Sequence, residues 1–175
     1  MANELFPDVA APSFDDPLGM LSACHGRIER QLATLGRLQR YLPQHGCDTD
    51  ARVAARAILR YFDLAAPNHH ADEEASVFPR LAAASPSAKK LLDDLERDHA
   101  ALAQSWTRLR PLLASIAAGQ RANLSAKDVA AVRRAYDAHI AREENELLPL
   151  AAATFDAEVL AAIGREMAQR RNVRG

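Results

Sequence analysis

From residue 17 onward, apolar residues recur at every third or fourth position, the period of a helix with one buried face. No stretch alternates in the two-residue manner of a strand. Polar and proline breaks divide the pattern into four long helices and a short fifth. Asp16-Pro17 predicts the first start, because the aspartate accepts the free N–H groups of the opening turn and proline at the first position gives up no bond. This helix should run to about Leu42, stopped by Pro43, with a loop over residues 43–50. A second helix over 50–81 contains Pro67, where a kink is expected. Ser85-Pro86 opens a third helix that ends near Gly119 and contains Pro111. Ser125, with Asp128 three residues on, starts a fourth that reaches about Ala153, and Asp156 caps a last one to about Arg170. Residues 1–15, with Pro7 and Pro12 and no periodicity, read as an extended arm. Residues 16–172 read as one all-α domain, an antiparallel four-helix up-down bundle with a short additional C-terminal helix.

The inward stripes are not wholly apolar. Helix one gives Leu18, Leu21, His25, Ile28, Leu32, Leu35, Gln39 and Leu42; helix two gives Ile58, Phe62, Ala65, His69, Glu73 and Val77. Helix three carries His99 between Leu95 and Leu102, and helix four carries His139 and Glu143 between Tyr136 and Leu147. Each helix thus points one histidine inward, and two add a glutamate one turn later on the same face. Burying ionised carboxylates without compensation costs several kcal/mol, and two that face each other repel. A pair of metal ions resolves both problems by making the anions ligands. Four imidazoles and two shared carboxylates suffice for two ions, with positions left for a bridging oxide or hydroxide and an external ligand. The donor set, nitrogen and oxygen without thiolate, suits iron, manganese or zinc.

Composition narrows the setting. Lys+Arg 22 against Asp+Glu 23 gives a net charge of -1, which argues against a basic nucleic-acid binder or a polybasic membrane-surface protein. No apolar run is long enough for a transmembrane helix, and the N-terminus lacks the regions of a secretory signal. Two cysteines, Cys24 and Cys47, make neither a disulfide framework nor a zinc motif, so the cytoplasm is the expected compartment.

The halves of the chain also repeat each other. His69-His70-Ala71-Asp72-Glu73-Glu74 reaches Pro79 ten residues after His69, and His139-Ile140-Ala141-Arg142-Glu143-Glu144 reaches Pro149 ten residues after His139. His25 and His99 precede these motifs by 44 and 40 residues. One helical hairpin used twice would set the two His-x-x-x-Glu turns across from each other.

On these residues the chain, over roughly 16–153, resembles the hemerythrin-like family of HHE cation-binding domains. The resemblance implies a four-helix bundle around a non-haem di-iron centre. His25, His69, His99 and His139 would be terminal ligands and Glu73 and Glu143 bridges. It further implies that a small oxidant (dioxygen, peroxide or nitric oxide) is bound, sensed or reduced. Oxygen-carrying hemerythrins have a His-x-x-x-His pair on the third helix, whereas here Ala103 stands four after His99, so the centre should be more open. The chain is also similar to the metal domain of di-iron proteins that repair damaged iron centres, although their added N-terminal cysteine-bearing domain is not read in it. An iron store or donor, and a metal-free helical interaction module, are the alternatives. No dedicated proton donor or electron-partner site stands out, so no enzymatic reaction is assigned.

Other residues read more plainly. His70/Glu74 lies on a more polar stripe and is read as flanking the site; Glu29, one turn after His25, reads as solvated, with an added ligand as the alternative. Cys24 reads as packed and Cys47 as a loop thiol. Tyr61 and Tyr136 read as core, with a hydrogen bond into the metal pocket as the alternative. Trp106 reads as core, and Arg97-Asp98 as solvated surface. The last helix, with Val159, Leu160, Ile163 and Met167 on one side, caps the bundle or meets a second copy.

Overall fold

The computed structural model describes residues 13–172. Most of the arm expected over residues 1–15 therefore lies outside the described residues. Helix α1 spans Pro17–His45, and Asp16 accepts the Gly19 N–H as its cap. Helix α2 covers residues 49–84 and α3 covers Lys89–Ala117 after a short 3-10 turn, Pro86–Ala88. Helix α4 covers residues 126–154, capped by Ser125, and α5 covers Ala157–Arg170, capped by Asp156. Among the described residues there are no strands, and no helix is long and apolar enough to cross a membrane. Helix α1 packs on α2 and α4, and α3 packs on the same two, which closes an up-down four-helix bundle.

Pro43 does not stop α1, contrary to expectation. It sits in the last turn, where the cost is one lost bond. The helix ends at Gly46, whose φ of 67° is cheap only for glycine. Tyr41 helps hold this end: its ring stacks on His45 at 4.0 Å and its hydroxyl donates to Asp48 at 2.8 Å.

Prolines act differently in α2 and α4. Each helix widens into π-turns, at Tyr61–Ala65, Glu73–Val77 and Glu143–Leu147, and the second residue after each is Pro67, Pro79 or Pro149. In each turn an N–H reaches five residues back: Ala66 to Tyr61, Phe78 to Glu73, Leu148 to Glu143. A proline ring crowds the carbonyl four residues behind it, and the wider turn relieves that contact. The added residue also turns the downstream face, so Ala66, not Ala65, is buried in the core.

The core is split. One apolar cluster gathers Ile28, Leu32, Leu35, Ile58, Phe62, Leu102, Leu113 and Tyr136 toward one end of the bundle. A second gathers Leu21, Val77, Leu81, Leu95, Leu147, Ile163 and Met167 toward the other. Between them lies a polar layer at the level of His25, His69, His99 and His139.

Helix α5 lies along α1 and α2, burying Ile163 and Met167 against the bundle, so its apolar side faces this same chain. Its far end reaches a buried acid. Arg170 donates to Asp72 Oδ1 at 2.8 Å and Arg171 donates to Asp72 Oδ2 at 2.6 Å, with Asp72 fully shielded from solvent. Ser76 donates to Glu166 at 2.5 Å, and Arg80 donates to the same carboxylate at 2.7 Å. At Gly164 the backbone comes so close to Phe14 that an added Cβ would lie 1.9 Å from its carbonyl oxygen.

Candidate metal centre

The six inward residues meet in the polar layer, and all are buried. The reason is the helical period: one turn separates His69 from Glu73 and His139 from Glu143, and packing α2 across from α4 brings the pairs together. Donor atoms of His25, His69, Glu73 and Glu143 lie within 4.8 Å of one another. His99 and His139 approach from the other side, with His99 Nε2 at 3.3 Å from Glu73 Oε2 and 3.6 Å from Glu143 Oε1, and His139 Nε2 at 2.9 Å from Glu143 Oε1. Glu143 also meets His25 Nε2 at 3.0 Å. Both carboxylates therefore touch imidazoles from both sides.

These approaches are short, yet they lack the direction of hydrogen bonds. His25 Nε2, His99 Nε2, His139 Nε2, both nitrogens of His69 and all four oxygens of Glu73 and Glu143 are buried without a hydrogen-bond partner. Nine unsatisfied polar atoms in one layer are a heavy desolvation cost, which a bound cation would offset. Lone pairs that converge on shared space suit cations, and imidazole with carboxylate is a fitting donor set for iron, manganese or zinc.

The structure also brings in His70, which straight-helix spacing places on the flank. Its ring stacks on His99 at 4.0 Å and 13°, and donor atoms of His70, His99 and His139 form a second group within 4.8 Å. His70 Nε2 is buried and unpartnered like the others. The widened turn at Tyr61–Ala65 rotates the downstream face, which straight-helix spacing could not reveal; the adjacent Pro67 was the available signal. The matching position in the second hairpin is Ile140, a buried apolar residue, so the fifth imidazole breaks the repeat.

Outer carboxylates orient the rings. His25 Nδ1 donates to Glu144 at 2.5 Å and His99 Nδ1 donates to Glu74 at 2.7 Å. Each pair crosses from one hairpin to the other, so the repeat seen in the sequence is a pseudo-two-fold relation in the side chains. His139 Nδ1 lies 3.5 Å from Asp98, which Arg142 holds at 3.0 Å. Asp98 is thus part of the site's surroundings, a correction to its reading as solvated surface. Such partners fix the tautomer and leave Nε2 free as a donor to a metal.

The remaining candidates fall outside. Glu29 is exposed on the outer surface. Tyr61 donates to the Cys24 carbonyl at 3.3 Å, and Tyr136 packs against Phe62. Trp106 is half-buried and donates to Asp63 at 2.9 Å. Cys24 is buried, and the Cys47 thiol donates to the Gln120 carbonyl at 3.0 Å.

Without an ion the layer is electrostatically strained. Burial, reinforced by Glu143, pushes the Glu73 carboxyl up to about 8. Burial pushes Glu143 the same way, but His139, His25 and His99 outweigh it and hold this carboxyl far below the usual range. Burial works against a charged His25, and Glu143 and Glu144 overcome it, raising the imidazolium to about 9. His99 follows the same balance, with Glu143, Glu73 and Glu74 raising it to about 10. For His69 and His70 burial, joined by repulsion from the neighbouring imidazoles, outweighs the pull of Glu143 and drives them down to about 3 and about 2.

A bundle of this topology around such a layer defines a helical cation-binding domain. The sequence profile of the Hemerythrin HHE cation binding domain matches residues 16–151, and the chain belongs to that family. It is also 33% identical over 162 residues to an uncharacterized protein of Haemophilus influenzae (strain Rd), a match that covers 93% of this chain and 94% of the relative.

Proposed function

We propose that the chain is a non-haem dinuclear iron protein whose open side binds, senses or reduces a small oxidant: dioxygen, a peroxide or nitric oxide. The observation that supports this most is the ring of buried, unpartnered donor atoms. His25 and His69 would hold one ion, and His99, His139 and His70 the other, with Glu73 and Glu143 shared. Bound iron would supply the redox couple and the vacant position that an oxidant needs. The protein's part is to bind and orient: Glu144, Glu74 and Asp98 keep the ring N–H groups pointed outward, and Leu21, Phe62, Leu95 and Leu102 exclude water on either side. Oxygen, peroxide and nitric oxide share small size and low charge, which suits a site flanked by two apolar clusters.

The test is anaerobic reconstitution with ferrous iron, metal analysis, and visible spectra before and after exposure to each oxidant. About two irons per chain and an oxidant-dependent absorption band are expected. Glu143→Ala and His69→Ala should each lose most of the metal. Wild-type iron content in both variants, or a protein that takes up no metal, would defeat this reading.

A further inference from the structure

A groove of about 690 Å³ opens on the flank between α2 and α3. His70 and His99 form its floor, Ala100 and Ala103 line its wall, and the exposed Glu74 and Glu96 stand at its rim. The floor is part of the polar layer: His99 is 3% exposed, and its Nε2 has no hydrogen-bond partner. The opposite flank keeps His25 and Glu144 in the places of His99 and Glu74 but differs around them. Under the hairpin repeat His99 matches His25, so Ala103 matches Glu29, Ala100 matches Gly26 and Glu96 matches Ser22. Where His70 faces the groove, Ile140 is buried. His70, Glu96, Ala100 and Ala103 are therefore not imposed by the bundle, which accepts another set on the opposite flank.

We propose that this groove is the route by which a hydrated divalent cation reaches and leaves the His70–His99–His139 side of the centre. This rests on the metal-binding reading above. Two carboxylates at the rim concentrate cations and repel anions. The alanine wall leaves room for an ion that still carries water. Beyond the rim the donors change from oxygen to nitrogen, from Glu74 and Glu96 to His70 and then to His99, whose ring stacks on that of His70. An ion can thus exchange water for protein ligands one at a time. His70 acts both as a ligand and as the last side chain between the centre and solvent.

The experiment measures loading and release, not activity. Metal-free protein is mixed with cobalt(II) in a stopped-flow cell and followed by its visible bands; the loaded protein is then stripped with a chelator in excess. Glu96→Gln should slow loading about threefold to tenfold at low ionic strength. That difference should shrink in salt, because an exposed carboxylate is screened. Ala103→Phe, a substitution at an exposed position, should slow both loading and stripping about tenfold or more while the final metal content stays that of wild type. Glu29→Gln, on the opposite flank, should change neither rate. Unchanged rates in both Glu96→Gln and Ala103→Phe at full metal content would overturn the route and leave the metal centre standing. An equal slowing by Glu29→Gln would also overturn it, since a general charge effect would then suffice. A wild-type chain that binds no cobalt would instead overturn the metal-binding reading itself.

Discussion

At the scale of single residues, the inward donors of the polar layer are held at odds with the protonation that a cation would require. His25, His99 and Glu73 retain protons to about 9, about 10 and about 8 when no ion is present. A cation needs them stripped, so metal uptake at pH 7 should expel protons, detectable with an indicator dye in weak buffer. The release should fade as pH rises through 8 to 10, and metal affinity should climb over the same interval. The metal-free fold should respond in the opposite sense. Raised imidazoles stabilise it below their ordinary value of about 6.5 and lose that contribution as pH passes their folded values. A raised carboxyl adds a penalty that grows from about 4.5 until Glu73 is fully ionised. Both slopes point downward, so urea melts of the metal-free protein should show stability falling from pH 7 to pH 10. Glu73→Gln should flatten part of that fall and stabilise the metal-free protein by ~1–3 kcal/mol at pH 9, because an amide is cheaper to bury than a carboxylate. It should weaken metal binding at the same time. Six of the central residues were legible in the sequence because helical spacing aligns them. His70 was not, since its place depends on a widened turn upstream, and neither was Asp98, whose role depends on Arg142 and His139 of another helix.

At the scale of elements, the π-turns decide where the two inward glutamates point. Glu73 and Glu143 each begin one, and each accepts the N–H five residues on. Pro79 and Pro149 penalise the straight alternative by roughly 3 kcal/mol. Replacing both by alanine should leave the melting temperature equal or higher, since the turn can then relax to an ordinary helix. Metal affinity should fall, as competition with a chromophoric chelator would show. Sequence periodicity located these helices but could not separate a kink from a widened turn, because both follow from the same missing N–H. The seat of α5 was equally hidden: its apolar side was visible, whereas Asp72 looked like any polar residue in an acidic run. Removing Arg170 and Arg171 together leaves that buried carboxylate bare and should cost about 3–5 kcal/mol in a denaturant melt. Gly164→Ala should pry Phe14 from α5, lowering the melting temperature without loss of helical circular dichroism in the bundle.

At the scale of the whole molecule, the polar layer costs stability until cations fill it. The two apolar clusters fold the bundle from either end, and the layer between them is what an ion would stabilise. Each ion present at a hundred times its dissociation constant adds about 2.7 kcal/mol. For a chain of this size that corresponds to about 5–10 °C, so a chelator should lower the calorimetric midpoint by at least this amount. An unchanged midpoint would favour a helical interaction module without metal. The exchange of His70 for Ile140 across the pseudo-two-fold has one more outcome. If two ions occupy the layer, seats with unlike walls should empty at different rates, so brief chelation should enrich a half-vacant protein over a mixture of full and empty chains. Refilling that vacancy with a second element would then build a defined heterodinuclear centre by order of addition alone.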